Sequence, residues 1–408
     1  MLGTDVAILG AGQAGLAMSR CLTDRGIAHL LIERGDAGER WRAQRWDGLR
    51  LLTPNWMTRL PGLGHAPADP EGFMDRAALV RLLQDYAQDA PVLARTGVRR
   101  LGTLGGRYLI ETDRGAIRAR AVVIATGACD QPCLPDWAAA IGDSAQPLHA
   151  ADYARPAALP AGGVLVVGAS ASGVQIAREI AAAGRPVTLA AGRHTRMPRR
   201  YRGRDIFTWL EAAGVLDDRW TEVPDLAAAR RQPSMQLSGH GRIDLGRLRR
   251  MGVRLAGRAT GADRGRVFLA DTLAGDMAAG EIRTRRILTR IDGHIAAVGH
   301  DLPRDRAAWR APPAPRATPA AVDLRGEGIG AVIFATGYAR DYSWLDLPVL
   351  DSAGELVHRG GVLPMPGLYA LGLRFLRRRS SNFIDGVGRD AEELAAHLAA
   401  FLGQRQAA

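Results

Sequence analysis

"VAILGAGQAGLA", residues 6–17, decides the fold. Val6 to Leu9 form a short apolar strand, and Gly10, Gly12 and Gly15 then turn the chain into a helix from Leu16 to Leu22. Each glycine has a reason: Gly10 permits the tight turn, Gly12 lets backbone approach a pyrophosphate, and Gly15 lets helix and strand pack closely. The next apolar run, "HLLIERG" at 29–35, ends in Glu33, about 20 residues beyond the glycines, where a carboxylate accepts hydrogen bonds from a nucleotide ribose. A glycine turn alone would not require strand, helix and acid in this register.

The device recurs at "VLVVGASASGVQIA", residues 164–177, with Gly168, Ser170 and Gly173, so serine stands at the second glycine position. Ala171 and Ser172 complete that loop, as Gln13 and Ala14 complete the first. The strand that follows, "PVTLAAG", ends with no acid and runs into "RHTRMPRRYRGR", residues 193–204. An acid there would repel a ribose 2'-phosphate, whereas Arg193, His194 and Arg196 would attract it; the alternative is a solvated basic loop. The first loop is therefore suited to a dinucleotide such as FAD and the second to NADPH. Two cofactors imply electron relay.

The fold class expected is α/β, with two dinucleotide-binding, Rossmann-like domains and the NADPH domain inserted in the FAD domain. The boundaries read as 1–160 for the first part of the FAD domain, 161–325 for the NADPH domain, and 326–408 for the FAD return segment and C-terminal helix. "VVIATG" at 122–127 and "VIFATG" at 332–337 are the same phrase, a buried strand ending in a tight turn. Such turns, here Ala125, Thr126 and Gly127, and Thr336 and Gly337, lie where a chain crosses between two nucleotide-binding domains and approaches a cofactor closely. "DRAALVRLLQDYAQ", "DIFTWLEAAG" and "EIRTRRILTRIDGHIAAVG" read as helices, "VRLAGRATGADRGRVFLA" as a hairpin, and "APPAPRATPAA" at 311–321 as an exposed connector.

Composition narrows the class further. The 54 basic residues exceed the 42 acidic ones, for a net charge of +12, yet the sequence holds no lysine, so all are arginine. Scattered arginines without a helix-turn-helix, zinc-finger or RNA-binding aromatic pattern point to codon bias before nucleic acid. Cys21, Cys129 and Cys133 are too few for a disulfide framework, which suggests a reducing, cytoplasmic setting. No run reaches the ~18 apolar residues of a membrane span, and no metal is expected.

In motif order the chain resembles the class B flavin-containing monooxygenases, especially the bacterial CzcO-type flavoproteins and the YUCCA-like enzymes. The resemblance rests on GAGQAG with Glu33, "ERWRAQRWDGLRLLTPNWMTRLPG", both ATG turns, "HAADY" at 149–153, GASASG, and "SSNFIDGVGRDAEELAAHL" near the end. Of the family fingerprint FxGxxxHxxxY, His149 and Tyr153 match, while Asp143 and Ala145 replace the phenylalanine and glycine. The histidine, on a domain linker, is a structural candidate before a catalytic one. The resemblance implies that NADPH reduces the flavin, that oxygen adds at C4a, and that a small molecule is oxygenated at nitrogen or sulfur or beside a carbonyl. The expected cofactor contacts also include Arg34, Val98 and Asp385. Trp41 and Trp46 either wall the isoalloxazine or belong to the core. Asn55 is the one catalytic candidate, by contact with flavin or oxygen intermediate, unless it only caps a turn.

"DGVGRDAEELAAHLAAFL" places Asp390 and Glu393 at capping-box spacing before an amphipathic helix, whose N-terminus, if directed at the flavin, would stabilise reduced anionic flavin. Arg374, Arg377, Arg378 and Arg379 either attract an acidic substrate or face water. The enzyme alternative on this fold is an NADPH-dependent flavin reductase or oxidase; a disulfide-reductase version is disfavoured because "CDQPC" spaces its cysteines three residues apart instead of two. A nucleotide-sensing or DNA-associated protein is the non-enzymatic alternative. A homodimer is left open.

Overall fold

The computed structural model describes residues 2–64 and 66–404. Val6–Leu9 are shielded on both faces, as a run of four apolar residues requires. They lie in the strand Leu2–Leu9, which pairs in parallel with His29–Ile32 on one side and with Gly115–Ile124 on the other. Val92–Leu93 extends this parallel arrangement beyond His29–Ile32. Leu368–Ala370 returns from the far end of the sequence to pair in parallel with Val122–Ile124. The strands Val98–Leu104 and Arg107–Thr112 add an antiparallel meander to the other half of Gly115–Ile124. The terminal helix Ile384–Gln404 packs on Gln13–Thr23, so the returning strand and this helix complete the first unit.

The second sheet is parallel throughout, in the order Arg254–Ala256, Val187–Ala190, Gly163–Val167, Ile329–Phe334, Gln146–His149. Its outer strands 146–149 and 329–334 fall outside the 161–325 span anticipated from the loops. The reason is that an inserted domain must leave and re-enter through neighbouring strands, and both crossing strands stay in the inserted sheet. Of the expected hairpin, only Ala259–Asp263 and Arg266–Leu269 pair antiparallel, joined by Ala321–Asp323; Arg254–Ala256 belongs to the parallel sheet.

A helical layer fills the stretch that is least legible in the sequence. Ile206–Ala212 and Leu273–Ala297 enclose a small core of their own around Trp209, Phe207 and Leu288. Polar atoms in it are paired: Trp209 Nε1 donates to the Tyr201 carbonyl at 2.7 Å, and the Tyr201 hydroxyl donates to Asp292 at 2.6 Å.

Two buried polar devices fix segments within the units. His149, at the end of its strand, donates from Nε2 to the Gly337 carbonyl at 3.0 Å and accepts the Ala151 N–H at Nδ1 at 3.1 Å. The ring is thus held neutral, and burial keeps its pKa below the ordinary 6.5. Arg378, 3% exposed, is paired with Asp390, 0% exposed, and with Glu393. The terminal helix starts at Ile384, so Asp390 and Glu393 sit inside it and bind arginines; the expected capping box is not formed.

Removing one partner of a buried ion pair strands the other charge. Arg378→Leu is therefore expected to destabilise the fold by about 3 to 5 kcal/mol, seen as a lower thermal midpoint, whereas Arg378→Leu combined with Asp390→Leu recovers much of the loss. His149 contributes stability above its unfolded pKa that is lost as pH falls through the lower folded one, because the unfolded chain takes the proton first. Denaturant titrations between about pH 7 and pH 5 are expected to show wild-type stability dropping more steeply than that of His149→Phe.

Candidate functional site

The two glycine loops have the same construction. Gly10, at φ +107°, would bring a Cβ to 2.7 Å from the Ala125 carbonyl oxygen, and Gly168, at φ +106°, to 2.5 Å from that of Ala335. Any side chain there would collide with the adjacent ATG turn. This explains the repeated phrase: each loop is closed against an ATG turn on the neighbouring parallel strand. Gly15 and Gly173 would place a Cβ within 2 Å of the Gly10 and Gly168 carbonyl oxygens, so helix and loop touch without side chains between them. A Cβ on Gly12 meets nothing within 4 Å, which leaves room for a pyrophosphate over the helix N-terminus.

At the first loop, Glu33 accepts the Ala11 N–H at 2.8 Å and the Gly35 N–H at 3.0 Å. These bonds aim the carboxylate at the loop, where a ribose would lie. Gln13 and Ala14 open the first helix, and Trp41 donates from Nε1 to Gln13 Oε1 at 3.2 Å. Trp46 is buried, whereas Trp41 is only partly so. Arg34 is exposed and pairs with Asp130 at 3.2 Å, Val98 begins the meander, and Thr126 and Gly127 sit on the first turn.

Several expectations are corrected. Asn55 spends its side-chain amide on the Asp69 carbonyl at 2.9 Å in a short 3-10 turn, and it does not line the interdomain cavity. Its position after Pro54 makes it a turn residue. Asp385, in the first turn of the terminal helix, is held by Arg59, which also holds Glu211; burial pushes the carboxyl up and Arg59 opposes this. Gly386 and Gly388 approach Ser380 and Pro61, so that glycine-rich start serves helix packing.

At the second loop, Ser170 precedes the helix Ala171–Ala182, which carries Ser172 and Gly173. Of the three basic candidates, Arg193 alone is exposed. Arg196 is 4% exposed and forms two 3.0 Å bonds to Glu281, so its charge is consumed within the fold. His194 is buried, gives its Nδ1 proton to the Gly192 carbonyl at 2.8 Å, and is held neutral by desolvation. Both border a separate cavity of about 320 Å³. The residue missed from the sequence is Arg283, on Leu273–Ala297. It donates to the Thr195 hydroxyl at 3.0 Å and to the His194 carbonyl, and its pKa is lowered by desolvation and by the charge of Arg193. Neither arginine has a carboxylate ion pair among the described residues, and their separation of 90 residues hides the pairing in the sequence.

Between the loops lies a cavity of about 590 Å³. Gln13 and Trp41 reach it from the first unit, Ala171 and Ser172 from the second, Ile287 from the helical layer, Ile384 from the start of the terminal helix and Phe383 from just before it. The helix N-terminus, with its partial positive charge, therefore opens on this space. Cys129 and Cys133 are free thiols separated by the short strand Gln131–Pro132, which pairs with Tyr338–Ala339 and holds the two apart. Thr336 donates its hydroxyl to the Cys133 carbonyl. Among the described residues no cluster suits a metal ion, and no helix is long and apolar enough to cross a membrane.

Comparison with known proteins agrees with this construction. Residues 7–211 match the family model described as pyridine nucleotide-disulphide oxidoreductase. A CzcO-like oxidoreductase of Geobacillus kaustophilus is 31% identical over 395 residues, 96% of this chain and 97% of the relative. The indole-3-pyruvate monooxygenase YUCCA1 of rice is 29% identical over 179 residues, 42% of this chain and 44% of the relative. A flavin-containing monooxygenase from Stenotrophomonas maltophilia superposes with a TM-score of 0.69 at 20% identity, covering 98% of this chain and all of the other. The chain belongs to the pyridine nucleotide-disulphide oxidoreductase family, as a CzcO-like flavin-dependent oxidoreductase of the class B flavin monooxygenase group.

Proposed function

We propose that this protein is an NADPH-dependent FAD monooxygenase that oxygenates a small molecule in the cytoplasm, at nitrogen or sulfur or next to a carbonyl. The observation that carries the reading is that both glycine loops open on one cavity, through Gln13 on one side and Ala171 and Ser172 on the other. A hydride donor on one loop and an acceptor on the other would meet there. The names of relatives, monooxygenases of flavin-containing and YUCCA type, support the same chemistry.

In this reading FAD lies along Gly10, Gly12, Gln13, Ala14 and Gly15, with its adenosine ribose on Glu33. Arg34, Val98 and the Ala125–Gly127 turn flank it, Trp41 borders the ring system, and Asp385 contributes through the helix start it occupies. NADPH lies along Gly168, Ser170, Ala171, Ser172 and Gly173, with Thr336 and Gly337 beneath. Residues 1–160 and 326–408 form the FAD domain and 161–325 the body of the NADPH domain, widened by the two crossing strands. The flavin supplies the redox and oxygen chemistry; the protein binds, orients and excludes water.

The 2'-phosphate of NADPH is assigned to Arg193 and Arg283 in place of His194 and Arg196. Opposite charges at ~4 Å near a surface attract by about 1 to 4 kcal/mol. Arg193→Ser is therefore expected to raise the KM for NADPH by about tenfold or more while leaving that for NADH nearly unchanged, whereas equal effects on both cofactors would remove Arg193 from the phosphate site. For the reaction itself, reduced protein mixed rapidly with oxygenated buffer in the presence of NADP is expected to show a lasting, blue-shifted single flavin band. Immediate recovery of the oxidised spectrum with stoichiometric peroxide, with and without substrate, would instead establish an oxidase or reductase.

A further inference from the structure

Six arginines line the large cavity and none of its described lining residues is acidic. Several of these have a role in the fold, and Arg50 donates to the Phe73 carbonyl at 2.9 Å. Arg379 is paired with Asp218 at 2.9 Å, and Arg283 belongs to the phosphate site. Arg45 lies over the rings of Trp41 and Tyr338 at 5.4 and 5.6 Å. Just outside the lining, Arg377 and Arg378 are consumed by Glu393 and Asp390. Arg374 differs from its three neighbours in sequence, because no carboxylate ion pair is found for it.

Arg374 is nevertheless rigidly held. Its Nη1 donates to the Gln232 carbonyl at 3.1 Å and to that of Arg230 at 3.4 Å, and its Nη2 donates to the Ser234 hydroxyl at 3.0 Å. A guanidinium has five N–H donors, so the fork keeps donors that these three bonds do not use. Arg230 lies beside it, bonded to His358, whose pKa burial and the nearby arginines push down to about 4, while Arg340 is paired with Glu355. Desolvation and the charge of Arg340 also lower the pKa of Arg374. A desolvated cation with no carboxylate of its own is unfavourable unless an anion joins it.

The backbone gives an independent sign. Phe375 has φ +49°, a left-handed conformation that is rare for a bulky aromatic residue. In extended chain, consecutive side chains point to opposite faces, yet Arg374 and Phe375 both border the cavity. Strain of this kind persists where the surroundings enforce it and clusters at ligand sites. The same cavity also presents Trp46, Leu49, Leu51 and Phe383.

We propose that the substrate is a small organic acid, and that Arg374 binds its carboxylate while the apolar walls hold its body. This rests on the monooxygenase reading of the cavity and narrows its substrate class. Arg374 is a specificity residue here, with Ser234 and the Gln232 carbonyl as its positioning partners. The other anion that could reach it is a phosphate of the dinucleotide.

The test uses the full-length, FAD-loaded protein and two probes with one thioether and nearly one shape, 4-(methylthio)benzoate and 4-(methylthio)benzamide. Binding is read from the perturbed flavin absorption, without turnover. A charge-assisted bond in a desolvated site makes the acid bind about ten- to a hundredfold more tightly than the amide. Arg374→Gln is expected to abolish that ratio and Arg374→Lys to restore part of it, both with unchanged NADPH binding. Equal binding of the two probes by the wild-type protein would overturn the proposal, and that comparison holds even if a variant fails to fold. So would an Arg374→Gln variant that loses NADPH affinity but keeps the acid preference, since the dinucleotide would then be the anion. Failure of the monooxygenase reading shows separately, in the oxygen reaction, and leaves the binding ratio measurable.

Discussion

The arrangement depends on one steric constraint, used twice. A loop must turn tightly enough at Gly10 or Gly168 for its helix N-terminus to point across the end of the sheet, and the adjacent strand must end close beside it. Only a residue without Cβ satisfies both demands, because the neighbouring carbonyl lies under 3 Å from where that atom would be. The ATG turns follow from this. Alanine ends the strand beneath the glycine, threonine and glycine turn the chain away, and the first helix turn stays open to a ligand's phosphates.

The second organising principle is charge placement in a chain whose only long cations are arginines. Planar guanidinium groups bind carboxylates and carbonyls in fixed directions, so they can act as joints between segments. Arg196, on the short strand Thr195–Arg196, is joined to the long helix through Glu281 and also binds the Ala308 carbonyl; Arg378 joins the return segment to the terminal helix through Asp390. Most of the net charge of +12 that looked like a surface property is distributed among such joints and solvent. What remains around the central cavity is an excess of cations over anions, suited to two dinucleotides and an acid.

This division explains what the sequence could and could not convey. Glycine spacing, the Glu33 register and the paired ATG phrases are local patterns, and they were legible because the contacts they serve lie within a few residues or on adjacent strands. The crossing strands Gln146–His149 and Ile329–Phe334 were assigned outside the inserted sheet, since strand type is local but strand partnership is not. The same limit misled the reading of "RHTRMPRR". Position after a strand made Arg196 and His194 equivalent to Arg193, whereas a glutamate 85 residues away occupies the first and burial neutralises the second. The capping-box spacing of Asp390 and Glu393 was also real as a pattern, but the helix had already begun at Ile384 and the acids were needed for arginines.

The absence of a nucleophile paired with a base in the cavity follows from where the hard chemistry resides. If cofactors move the hydride and activate oxygen, the protein's own tasks are to orient three bound molecules and keep water from the reactive centre. The lining divides those tasks by source. The first unit contributes tryptophans and leucines, the second contributes the helix start beneath its own dinucleotide, and the helical layer adds Ile287 along one side. Among the described lining residues the charged side chains are all arginines, which can hold an anion without offering a proton acceptor. A carboxylate in the same place would compete for protons and repel both dinucleotides. The acid-free lining is compatible with cofactor chemistry of this kind, and it leaves Arg374 among the cations that have no carboxylate partner.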